Sequence, residues 1–202
     1  MRARNLIFLT TLMFWALASA AEESRNAGLS RQACVGCHGE DDTGRAQTGP
    51  PRGAALLAPM KTELKQALMA GMQKGPSHAI SVCKVQAPTI ADSLSVGGVK
   101  IGRTSHRLRN PANRAPEWVN VVLQAYLDEE KDHAPQVVSL ANDREGYVEP
   151  IMIQPICLAC HGRNLAADVA TQINTLYPED EATGFEVDEL RGVYWVEYSL
   201  AE

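Results

Sequence analysis

The chain has 202 residues, 45% of them hydrophobic and 21% charged, with a formal net charge of −5. That length holds one ordinary domain with a short extension and falls short of two domains with sizeable cores. An acidic chain without a basic run repels nucleic acid and anionic lipid, which excludes both as expected partners.

Residues 1–20 read as an export signal. Arg2 and Arg4 form a basic start, residues 6–17 an apolar stretch, and Ala18-Ser19-Ala20 a small-residue cleavage site. The apolar run is short for a bilayer crossing, and no second one follows. The expectation is a signal peptide cleaved near Ala20, no membrane span after cleavage, and a periplasmic or otherwise exported mature protein. Losing two arginines takes its net charge from −5 to −7. Export also places its cysteines where disulfides are permitted.

Residues 21–59 are expected to be an N-terminal extension with little regular structure outside residues 29–38. Gly49-Pro50-Pro51-Arg52-Gly53 is loop material. The main domain is then expected over 60–202. From Pro59 onward, Leu64, Ala67, Leu68 and Met72 recur at helical spacing, and Gly75-Pro76 stops that helix. A second helix is predicted over 77–94, with Cys83, Ala87, Ile90, Ala91 and Leu94 on one face and a bend at Pro88. Gly97-Gly98 ends it, and residues 99–105 read as a strand. Asn110-Pro111 and Ala115-Pro116 frame an irregular loop. Pro116 then opens a helix bearing Trp118, Val121, Val122 and Ala125.

Further on, strands over 136–141 and 147–153 flank a hairpin turn at 142–146. A loop, a helix over 165–177, an acidic loop and two strands over 185–188 and 193–200 complete the chain. Helices early and strands late predict an α+β domain with an antiparallel sheet.

Four of the five cysteines fall in two copies of one pattern, Cys34-Val35-Gly36-Cys37-His38 and Cys157-Leu158-Ala159-Cys160-His161. This is the attachment pattern for c-type haem. Two thiols three positions apart suit the two vinyl groups of one porphyrin, and the adjacent histidine offers an imidazole to the iron. One haem c is expected on Cys157, Cys160 and His161, and a second on Cys34, Cys37 and His38. A four-cysteine zinc ribbon would place its two pairs roughly 15–20 residues apart, far closer than these. A thioredoxin-like redox pair would sit at a strand-to-helix junction early in a βαβ unit, where neither copy lies. Disulfides remain the other alternative in an oxidising compartment. Cys83 is left over. Its residues alone read as a buried apolar thiol, with thiolate ligation of a haem iron as the alternative.

Further segments add a resemblance. Ala79-Ile80-Ser81-Val82-Cys83-Lys84-Val85-Gln86-Ala87-Pro88, Ile101-Gly102-Arg103-Thr104-Ser105 and Leu108-Arg109-Asn110-Pro111-Ala112-Asn113 stand before the second motif, and Leu190-Arg191-Gly192-Val193 after it. Together they resemble a family of PAS-like c-type haem domains, over about residues 60–200. The resemblance implies a PAS-like α+β fold with one haem c. It implies thioethers from Cys157 and Cys160, His161 as the proximal ligand and Cys83 as the distal one. The Cys34 motif is an addition to that pattern. For its iron, Met60 is the preferred sixth ligand, being nearest and following a flexible loop. Met69, Met72, His78, His106 and His133 are further candidates, as is a vacant position. Arg103, Arg107 and Arg109 are candidates for holding haem propionates. Trp118 and Trp195 read as core.

The favoured function is electron transfer between redox partner proteins. The alternative is redox or gas sensing, with NO or CO displacing Cys83. Peroxidase-like chemistry is the weakest reading, since no acid–base constellation accompanies the motifs. A carrier or sensor is therefore expected rather than an enzyme.

Overall fold

The computed structural model describes residues 51–128 and 133–201, all within the unit Pro51–Glu202. The expected leader and the Cys34-Cys37-His38 motif lie outside the described residues.

Helix α1, Arg52–Met72, forms because Leu57, Met60, Leu64 and Ala67 recur every three or four residues and are all buried. This corrects the expectation that residues 52–59 belong to a loose extension. Pro59 points to solvent within the helix. It forgoes one backbone hydrogen bond, and burial of the apolar stripe outweighs that loss. Helix α2, Pro76–Leu94, begins with proline, whose missing N–H has no intrahelical partner at that position anyway. The two helices cross closely at Gly71, where a Cβ would lie 2.7 Å from the Ala79 Cα.

Strands β1 (Lys100–Thr104), β2 (Gln136–Leu140), β3 (Arg144–Met152) and β4 (Leu190–Ser199) form one antiparallel sheet in the order β1-β4-β3-β2. Helix α3, Glu117–Asp128, packs Val119, Val122, Leu123 and Tyr126 on one face, against Val148 and Val193. Helices α1 and α2 cover the other face, where Tyr147, Val196 and Tyr198 point. The alternation of Val193 with Val196 and Tyr198 along β4 is the period of two that a sheet covered on both faces requires. The expected α+β architecture with an antiparallel sheet is therefore present.

Three local expectations are corrected. Asn142 and Asp143 take φ of 60° and 51°, so the hairpin turn is shorter than expected and Arg144 already belongs to β3. Both residue types tolerate that left-handed region. Residues 185–188 do not pair as a strand. Phe185 makes only an isolated bridge to Gly162, and Asp188, at φ 66°, turns the chain toward β4. On α3, Val121 is 63% exposed and Val119 takes the buried position.

Candidate cofactor cleft

The second cysteine pair was expected in a loop, and it is helical. Gln154 and Pro155 start a 3₁₀ turn, Pro155–Cys157, in which the Cys157 N–H donates to the Gln154 carbonyl at 2.8 Å. Helix α4, Leu158–His161, continues it for one turn. Cys157 and Cys160 therefore lie three positions apart on one side of a helical turn. Gly162 ends α4, because a Cβ there would meet the Leu158 carbonyl at 2.7 Å. The next stretch of chain is bonded back to this turn. The Phe185 N–H donates to the His161 carbonyl at 2.9 Å, and the Gly184 N–H to that of Gly162 at 3.0 Å.

This turn borders a cleft of about 560 Å³, within the usual range for cofactor sites. Leu64, Leu68 and Met72 of α1 line it with Ile80, Cys83 and Ala87 of α2. Cys157, Cys160 and His161 face it from α4 and the turn before it, with Arg103 of β1, Arg191 of β4 and Arg109 of the segment after β1 on another wall. Cys83, Cys157 and Cys160 are all free thiols. Among the described residues, no three His, Cys, Asp or Glu side chains gather as a metal-ion site.

His161 Nδ1 lies 2.6 Å from the Ala182 carbonyl, which can only accept, so Nδ1 carries the proton. Nε2 is left as a lone pair, the usual metal-binding atom of such an imidazole. Burial holds the His161 pKa well below the ordinary histidine value, and Arg191 and Arg109 push in the same direction, so the ring is neutral. Burial also raises the Cys83 thiol, with Arg103 and Arg109 opposing. Cys160 is raised by burial too, and the nearby Cys83 adds to that shift.

The three expected arginines have different positions. Arg103 lines the cleft. Arg109 also reaches it, and bonds protein heavily: Nε and Nη2 bond Asp180 at 2.8 and 3.3 Å, and Nη2 reaches the carbonyls of Cys160 at 2.7 Å and Ala182 at 3.2 Å. Arg109 thus ties the cysteine turn to the loop that orients His161. Arg107 is corrected. Its guanidinium stacks 4.2 Å from the Phe185 ring centroid and its Nε donates to the Glu181 carbonyl, which turns it away from the cleft. Arg191 was missed. The signal available was an arginine at an inward position of a strand, next to Gly192.

Met60 is also corrected. It is 1% exposed and packed among Leu57, Leu64 and Val196, so its thioether is a core atom that cannot reach an iron without unpacking α1. Met69 and Met72 border the cleft. His78 and His106 are exposed, with His106 edge-on to Phe185, while His133 bonds the Tyr126 carbonyl at 3.0 Å. Trp118 and Trp195 pack edge to face at 6.2 Å in the α3 layer, as core. No helix among the described residues is long and apolar enough to cross a membrane.

An antiparallel sheet backed by helices, with thiols, a neutral imidazole and arginines around one cleft, defines an α+β domain with a candidate cofactor site. This chain belongs to the Tll0287-like family, whose pattern matches residues 54–199. Its structure is similar to one described as "Crystal structure of the cyanobacterial heme-protein Tll0287", with a TM-score of 0.57 at 22% identity, covering 76% of this chain and 99% of that one. The likeness shows the PAS-like α+β fold. No curated protein matches the chain.

Proposed function

We propose that this protein binds haem c through Cys157 and Cys160, with His161 and Cys83 as axial ligands, and that it transfers electrons between redox partner proteins outside the cytosol. One observation carries the reading: Cys83 from α2 and the Cys157–His161 turn, distant in the chain, border the same cleft. The similar structure is that of a haem protein, which supports the same cofactor here.

The residues present fit a haem. The cleft has apolar walls for a porphyrin face and free thiols at one edge, and the imidazole presents a lone pair. Each thiol would add its sulfur and its hydrogen across one vinyl double bond, so no group leaves. A bound haem supplies one-electron exchange between ferric and ferrous iron. A thiolate ligand donates strongly to the ferric form, which favours a low potential. Coordination is also what would deprotonate a thiol that burial otherwise keeps protonated. By pattern alone, Cys34, Cys37 and His38 are proposed to hold a second haem c.

The surroundings of Cys83 favour electron transfer over sensing. Ser81 accepts a bond from Gln172 at 2.7 Å, and the Lys84 ammonium donates to the Leu176 carbonyl. Both partners lie on α5, Ala167–Leu176, whose Val169 and Ile173 pack against Ile80. A ligand on a helix tied to α5 at residues before and after it stays in place as the iron changes charge. Sensing by ligand exchange would have to break these contacts.

Redox titration of the matured wild type, C83S and C83A tests the axial ligand. The ferric spectrum changes in both variants and the potential rises, with haem still attached. Unchanged spectra in both would remove Cys83 from the iron. Addition of CO or NO to the reduced protein tests the function. Little change in the Cys83-dependent spectrum is expected, whereas ready displacement would turn the reading to sensing.

A further inference from the structure

The wall of the cleft holds more positive charge than the protein neutralises. Arg103 and Arg109 on that wall, and Arg107 behind it, all act electrostatically on Arg191, and among the described residues Asp180 is the carboxylate that opposes them. Arg109 already engages both oxygens of Asp180. Arg191 donates from Nη1 to the Arg107 carbonyl at 3.2 Å, and its guanidinium lies 5.3 Å from the Phe185 ring centroid. Its Nε is buried with no hydrogen-bond partner among the described residues. Leaving a buried charged donor unpaired is strongly unfavourable.

The backbone places Arg191 there deliberately. The β3–β4 register shifts between Ile151 and Met152, so Arg191 stands at a bulge, a device that re-aims a side chain. Its neighbour Gly192 has φ 153°, and a Cβ there would meet the Thr104 carbonyl oxygen at 2.1 Å. The Ser105 hydroxyl donates to the Arg191 carbonyl at 2.6 Å and fixes the bulge against the end of β1. Local geometry is thus arranged around a cation that makes no ion pair among the described residues.

We infer that Arg191, with Arg103 on the same cleft wall, receives a carboxylate of the bound cofactor, a porphyrin propionate. The inference rests on the haem reading above. A carboxylate in the cleft would offset the excess charge and pair with the guanidinium groups that line it, in the charge-assisted geometry such groups favour. It would also offset the burial and the repulsion from Arg109 and Arg103 that together lower the Arg191 pKa to about 9.

The test compares matured wild type, R191Q and R191K. Intact mass first establishes covalent haem, and wild type without an adduct would remove the haem reading and this inference with it. With haem attached, resonance Raman spectra report hydrogen bonding at the propionates. R191Q shifts the propionate bending band and lowers the midpoint potential, because a positive charge beside the porphyrin has gone. R191K restores the potential by restoring that charge. Haem-loaded R191Q with an unchanged propionate band overturns the assignment. If R191Q does not accumulate, R103Q, altered at a half-buried position, decides in the same way: a shifted band supports the site and an unshifted one overturns it.

Discussion

At the scale of single residues, the attachment chemistry is visible in sequence because it depends on identity and spacing alone. Cys157, Cys160 and His161 need no tertiary information to be recognised, and neither does the oddness of Cys83. The arginines do need it. Arg107 was expected at the cleft, yet Phe185, from a distant part of the chain, stacks on it. Arg191 owes its place to a bulge, which no local periodicity reveals. Arg109 belongs to the support of the site. With Asp180 only 5% exposed at its side chain, Arg109→Gln strands a buried carboxylate and should cost roughly 3–5 kcal/mol of stability. Denaturant unfolding of R109Q, D180N and the double variant measures this. The double variant should recover part of the loss, and a loss near zero in R109Q would show that the pair supports nothing.

At the scale of elements, most helices and strands follow from apolar spacing, and the misreadings have identifiable causes. The run Gly49-Pro50-Pro51-Arg52-Gly53 carries strong breaker signals, and Pro59 looks like a boundary. The burial of Leu57 and Met60 against the sheet overrides both, which also turns Met60 from a candidate ligand into core. Residues 185–188 alternate like a strand, but they are committed to holding the cysteine turn through Phe185. Close packing yields a prediction about α1. Alanine is the better helix former by about 1 kcal/mol, yet Gly71→Ala would press a methyl into the Ala79 backbone of α2. The expected outcome is a net loss of roughly 1–3 kcal/mol, read by thermal unfolding. A stabilised G71A would show that the two helices can move apart freely. Because Ala79, Ile80 and Cys83 share α2, such a shift should also perturb the haem spectrum.

At the scale of the whole molecule, the cleft is a product of topology. Two helices lie across one face of a four-stranded sheet, and the turn after β3 closes the opening between them. None of the three contributors carries the site alone, so sequence reading could supply the candidate ligands but not the cavity they share. The two cysteine motifs are expected to act independently. Substituting Cys34 and Cys37 by serine should leave the spectrum of the cleft haem intact, whereas serine at Cys157 and Cys160 should abolish it. Spectra of the two double variants, matured side by side, measure the difference. Loss of the cleft spectrum on changing Cys34 and Cys37 would mean that the motifs act as one unit.

The central claim is tested most directly by peptide mass spectrometry of the protein expressed with a cytochrome c maturation system. A peptide carrying Cys157, Cys160 and His161 with a haem adduct is the predicted result. Recovery of that peptide with both thiols free to be alkylated would contradict it.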